Sequence, residues 1–123
     1  MSKLTRLHQL SALGQSVWID FLSRQLLRSG ALARAIETDA VVGVTSNPTI
    51  FEKALAEGSA YDDQVRRDAE GRDALGLFEA IETTDVRDAC DQFRGVYDAT
   101  NAADGYVSIE VSPGVAHDAD DTV

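Results

Sequence analysis

The chain has 123 residues, 21 acidic against 11 basic side chains, a formal net charge of −10, and 44% hydrophobic residues. That length suits one domain able to bury about two-thirds of its unfolded surface, and the composition is that of a globular protein rather than a disordered or fibrous one. The excess of acid repels phosphate backbones and anionic headgroups, so neither nucleic acid nor a membrane surface is expected as a partner.

No apolar run approaches the roughly 20 residues of a membrane span. The opening MSKLTRLHQLSALGQ mixes charge with apolar residues and lacks the uninterrupted apolar segment of a secretory signal. Cys90 is the sole cysteine, which rules out an internal disulfide, and a reducing cytoplasm is the expected location.

Leu4, Leu7, Leu10 and Leu13 recur near the helical period and predict a short leading helix that stops at Gly14. Ser16-Val17-Trp18-Ile19-Asp20 is β-branched and aromatic, a first strand ending on a carboxylate. Leu22, Leu26 and Leu27 mark a helix over residues 22–29 that closes at Gly30, and Leu32, Ala35 and Ile36 mark a second short one. Val41-Val42-Gly43-Val44 is apolar on both faces, as a covered parallel strand requires. It breaks at Asn47-Pro48, after which Thr49 with Glu52 three residues on fits a capping box, making Thr49 the predicted N-cap.

Residues 58–73 are polar and glycine-punctuated, a helical excursion with a loop. Ala74, Leu77, Phe78 and Ile81 give one helix. Thr83-Thr84-Asp85 reads as the N-cap of another, carried by Val86, Ala89, Cys90, Phe93, Val96 and Tyr97, with Cys90 as a core thiol and an end near Asn101. Residues 106–111 alternate as a third strand, with Ser108 and Glu110 on one face.

Strands alternating with helices predict an α/β fold with about three parallel strands and right-handed crossovers. Three strands leave two open sheet edges and cannot close a (β/α)8 barrel, which takes about 250 residues. Residues 1–123 are therefore expected to form a single partial domain, the N-terminal portion of a (β/α)8 TIM barrel, with the C-terminal part missing or supplied by a partner chain. The acidic run ending in Asp120-Asp121-Thr122 resembles the start of a further helix.

All three strands end in hydrogen-bonding groups: Asp20, then Thr45 and Asn47, then Glu110. Taken singly, each is an ordinary turn or cap residue. In a (β/α)8 barrel, however, active sites are built at the C-terminal ends of strands, where these four could converge. Two carboxylates and an amide suit acid/base work on hydroxyls and carbonyls, and carboxylate pairs also serve glycoside hydrolysis, so the chemistry alone leaves several classes open. His117, Asp118, Asp120 and Asp121 match no established metal-loop spacing, and no metal site is expected there.

SALGQSVWIDFLSRQLLRSG, VVGVTSNPTIFEKAL and GYVSIEVSPGVAHD, in this order and spacing, resemble the N-terminal third of transaldolase. The resemblance implies a class I aldolase-type transferase of the pentose phosphate pathway. Such enzymes move a dihydroxyacetone unit between ketose and aldose phosphates through a lysine Schiff base, without metal or organic cofactor. It also implies roles: Asp20 as the acid/base group for the substrate hydroxyl, Glu110 as the residue that activates a water around the imine, and Thr45 and Asn47 as contacts to the dihydroxyacetone moiety.

The family's nucleophilic lysine lies on the next strand, and this chain has only Lys3 and Lys53. The first sits in the leading segment and the second reads as a solvated helix lysine. The chain by itself is thus expected to be inactive. The alternative is a non-catalytic α/β module that pairs with a partner chain to complete a split barrel, and the coding sequence beyond Val123 separates the two.

Overall fold

Strand β2 (Val41–Thr45) is the centre of the sheet, and its run of valines is what fits it there. It pairs in parallel with β1 (Val17–Ile19) on one side and β3 (Tyr106–Ser108) on the other. The computed structural model describes residues 4–110 and 117–122. Helix α1 (Arg6–Ala12) precedes β1, while α2 (Arg24–Arg28) and α3 (Ala31–Thr38) join β1 to β2. The longer crossover from β2 to β3 contains α4 (Pro48–Glu57), α5 (Asp62–Asp68) and α6 (Ala74–Ala99), and α7 (Ala119–Thr122) follows β3. Three parallel strands with intervening helices are the architecture of the N-terminal portion of a (β/α)8 barrel.

One face of the sheet is covered. Val41 and Val44 pack with Leu22, Leu27 and Leu32 from the β1–β2 connection and with Ala89 and Phe93 of α6, and Val17, Ile19 and Val107 lean on the same cluster. Each fully buried leucine or phenylalanine here contributes about 1.5–3 kcal/mol. A second cluster, Phe51, Tyr61 and Ile81, ties α4 and α5 to α6, with edge-to-face ring contacts of Phe51 to Tyr61 and to Phe78.

The other face of the sheet is open. Trp18 is 37% and Tyr106 46% exposed, and both are in register with Gly43 between them. The indole of Trp18 lies across Gly43 so closely that a Cβ there would stand 2.2 Å from Trp18 Cε2, so a side chain at position 43 would have to displace the ring.

Several sequence expectations are corrected. Thr83-Thr84-Asp85 caps nothing: α6 runs through it unbroken from an N-cap at Asp73, whose carboxylate accepts the Gly76 N–H at 2.7 Å. The threonine hydroxyls turn back onto the Glu79 and Ala80 carbonyls, which lets threonine sit inside a helix, and Asp85 is buried. Cys90 is exposed rather than in the core, because the buried stripe of α6 passes through Asp85, Ala89 and Phe93. The cap of α4 is Asn47, not Thr49, with Pro48 in the first turn where its missing N–H costs nothing. Strand β3 ends at Ser108, two residues before Glu110, and Val111 lies outside the described residues. Helix α1 forms as expected but buries none of its residues, and Leu4, Leu10 and Leu13 stay exposed. Among the described residues no helix is long and apolar enough to cross a membrane.

Candidate active site at the C-terminal ends of the strands

Parallel strands in register bring their C-terminal ends to one edge, and β1, β2 and β3 deliver Asp20, Thr45 and Glu110 there. Thr45 and Ser108 are register partners, so the residues just past β3 come level with Thr45. The Thr45 hydroxyl donates to Asp20 Oδ1 at 2.8 Å, and Glu110 Oε1 stands 3.3 Å from the Thr45 hydroxyl oxygen. A hydroxyl has one proton, so two carboxylates share one donor, with the shorter bond going to Asp20. Both acids are exposed at the rim, open to a ligand.

Asn47 shares this end of β2, but its hydrogen bonds run elsewhere. Its Oδ1 accepts the N–H groups of Thr49 at 3.1 Å and Ile50 at 3.3 Å, capping α4. The amide oxygen is thereby committed to the helix, which fixes the side chain and leaves its NH2 group as the donor it can offer. Of the four expected site residues, three meet through one hydroxyl and the fourth stands beside them as a cap.

Below the rim is a buried layer that the sequence reading missed. Ser46, 1% exposed, donates its hydroxyl to Glu82 Oε1 at 3.0 Å and accepts the Glu110 N–H at 3.1 Å. Burial pushes the Glu82 carboxyl above its ordinary range; the Ser46 hydrogen bond opposes that, and the charges of Glu110 and Glu79 add to it. Further back, Arg24 Nε donates to Asp85 Oδ1 at 2.9 Å, and the Tyr61 phenol donates to Asp85 Oδ2 at 2.6 Å. The phenol oxygen accepts the Arg24 N–H at 2.7 Å, and the guanidinium lies 4.5 Å from the Tyr61 ring centroid.

Burial raises both the Asp85 carboxyl and the Tyr61 phenol, against the pull of the Arg24 charge. The network pins the segment that leads from Asp20 into α2. Glu82 and Asp85 were legible in one respect: they are acids standing in the apolar stripe that Ile81, Ala89 and Phe93 define.

A cleft of about 360 Å³ opens beside Phe21 and Ile50, each a near neighbour in sequence of a site residue, and Lys53 lines it from α4. Lys53 is exposed, as its sequence context suggested, and Lys3 lies outside the described residues. Among the described residues no group of three or more His, Cys, Asp or Glu is placed to hold a metal ion. What the rim offers is proton chemistry: two carboxylates to take and return protons, and a hydroxyl and an amide to hold a polyhydroxylated ligand.

Residues 17–123 match the family model described as Transaldolase/Fructose-6-phosphate aldolase. The chain is 53% identical over 121 residues to the transaldolase of Thermobifida fusca, covering 95% of this chain and 32% of that protein. It is 51% identical over 118 residues to the transaldolase of Frankia alni, covering 95% of this chain and 32% of the relative. With the transaldolase of Mycobacterium ulcerans the identity is 50% over 123 residues, covering 99% of this chain and 33% of the relative. The chain thus spans about a third of the length of the curated relatives it matches. A match over nearly the whole chain, on three parallel strands with intervening helices, shows that it belongs to the transaldolase/fructose-6-phosphate aldolase family.

Proposed function

We propose that this chain supplies the proton-handling wall of a transaldolase-type site, within one partial barrel domain that needs further strands to be complete. The reaction is the transfer of a dihydroxyacetone unit between ketose and aldose phosphates through a lysine Schiff base, a step of the pentose phosphate pathway in the cytoplasm. The observation that carries this reading is the Thr45 hydroxyl within hydrogen-bond reach of both Asp20 and Glu110. A protonated imine withdraws electrons from the carbon–carbon bond beside it. Cleavage then needs a base for the proton of the adjacent hydroxyl, which becomes a carbonyl as the bond electrons move into the imine. Asp20 is the base in this scheme, and it returns the proton when the new bond forms. Glu110 holds the water that enters and leaves at the imine carbon, while Thr45 and the NH2 group of Asn47 hold the dihydroxyacetone oxygens.

The nucleophile is the part this chain lacks. Lys53 stands exposed on α4 rather than at the end of a strand. The chain alone is therefore inactive, and activity requires the strand that carries the family's lysine. The test is transfer from fructose 6-phosphate to an aldose phosphate acceptor, measured for the chain alone and mixed with the remaining part of the Thermobifida fusca relative. The expected result is no turnover alone and turnover in the mixture that falls about 10²–10⁴-fold with Asp20→Asn. Borohydride trapping of fructose 6-phosphate on Lys3 or Lys53, or full turnover with Asp20→Asn, would overturn the proposal.

A further inference from the structure

The ladder between β2 and β3 changes character one residue past Thr45. The Ser46 N–H donates to the Ser108 carbonyl at 2.9 Å, a regular rung. The next rung of a parallel ladder would bring the Glu110 N–H to the main-chain carbonyl of Ser46. Instead the N–H meets the Ser46 hydroxyl, because β2 is already turning toward the Asn47 cap of α4. One residue thus holds both sides of Ile109, through its own N–H and through its side chain.

A serine hydroxyl is a rotor, and a rotor accepts well only when its single proton has somewhere else to go. Glu82 supplies that place: its Oε1 takes the Ser46 proton at 3.0 Å and leaves a lone pair facing Glu110. Both residues are buried, Ser46 at 1% and Glu82 at 5% exposure, so water competes little for these bonds. A glutamate is a costly choice for a buried position that only had to be filled.

We propose that Ser46 and Glu82 are positioning residues for Glu110, with the Glu82 carboxylate orienting the Ser46 hydroxyl and the hydroxyl fixing the backbone from which the Glu110 carboxylate projects beside Thr45. The importance of this for turnover rests on the role proposed above for Glu110; the hydrogen-bond relay itself does not. The relay is also sensitive to protonation. A protonated Glu82 becomes a donor to the Ser46 oxygen and competes with the Glu110 N–H for its lone pairs. The charged groups around Glu82 are Glu110 beyond β3 and Glu79 on its own helix; Arg24 from α2 and Tyr61 ahead of α5 are engaged with Asp85 one turn further on.

The experiment is amide NMR on the whole chain. In the parent the Glu110 amide is protected from hydrogen exchange, and in Glu110→Gln, which takes that residue's own carboxyl out of the readout, the shift of the same amide titrates with the Glu82 carboxyl. Ser46→Ala speeds its exchange about tenfold or more, the loss expected for one hydrogen bond of ordinary strength, while the amides of Gly43 and Val44 stay unchanged. Glu82→Gln, nearly isosteric and free of charge, abolishes that titration when added to Glu110→Gln, and it gives the answer should the serine variant fail to fold. A Glu110 amide that exchanges equally in parent and Ser46→Ala, or a position-110 amide that titrates alike in Glu110→Gln and in the double variant Glu82→Gln/Glu110→Gln, overturns the proposal. Neither readout depends on turnover, so an intact relay in a chain whose Glu110 proves dispensable to catalysis would fault the functional reading alone.

Discussion

The phenol of Tyr61 gives its proton to Asp85 at 2.6 Å and takes one from the Arg24 backbone at 2.7 Å, so one oxygen closes the loop behind Asp20. Tyr61→Phe leaves the Arg24 N–H and one Asp85 oxygen buried without partners, and should cost about 1–3 kcal/mol. Arg24→Met strands the Asp85 charge and should cost about 3–5 kcal/mol, part of it recovered in the double variant Arg24→Met/Asp85→Leu, which removes the charge but leaves the Tyr61 hydroxyl without its acceptor. Urea midpoints at constant slope measure all three.

Asn47 carries two roles that separate by substitution. Asn47→Ala removes the acceptor for Thr49 and Ile50 and should cost about 1 kcal/mol of stability. Asn47→Asp keeps the cap, and so the urea midpoint, but exchanges the NH2 donor for a third carboxylate beside Asp20 and Glu110. In the reconstituted enzyme that variant should raise KM for the ketose phosphate without unfolding the chain. An Asn47→Asp enzyme with parental KM would assign Asn47 to the cap alone.

Much of the frame was legible because it depends on periodicity and punctuation. Val41-Val42-Gly43-Val44 could only be a covered strand, and Asp20 and Thr45 followed as residues at strand ends. The errors came where one local signal had two physical solutions. Thr83-Thr84-Asp85 looks like a cap because such side chains bond nearby backbone, but a threonine inside a helix satisfies itself on the carbonyl four residues back. Thr49 with Glu52 fits a capping box, yet Pro48 fits the first helical turn better and hands the cap to Asn47. Glu82 and Asp85 were invisible as a buried layer because their partners Ser46, Arg24 and Tyr61 lie 24 to 61 residues away in sequence.

Gly43 and Trp18 should be coupled. Gly43→Ala drives a methyl into the indole and should destabilise by about 1–3 kcal/mol, the usual cost of overpacking. Adding Trp18→Leu to Gly43→Ala should recover most of that loss, giving a coupling energy of the size seen between touching residues. Trp18 is the only tryptophan, so the emission spectrum of Gly43→Ala reports directly whether the ring has been displaced. Strict additivity of the two changes would mean that the ring does not rest on the glycine.

Glu82 sets a pH dependence of known sign. Its carboxyl is raised in the folded chain, so its favourable contribution is complete when protonated and is lost as the pH rises through that raised value. Glu82→Gln should therefore gain in Tm relative to the parent as the pH goes from below the ordinary carboxylate range to neutrality. Asp85 is raised as well and acts in the same direction in both proteins, so the difference between them isolates Glu82. A constant Tm difference across that range would show that folding leaves the Glu82 carboxyl unshifted.

Helix α6 enters both apolar clusters, the aromatic one through Ile81 and the sheet-covering one through Ala89 and Phe93, with Glu82 and Asp85 between. The joint between the two halves of the crossover is thus made of hydrogen bonds and the Arg24–Asp85 ion pair rather than grease. Hydrocarbon surfaces tolerate sliding, whereas directional bonds hold one alignment. The same joint that locks the strand ends into a working geometry is therefore where a single lost partner would let the halves melt apart.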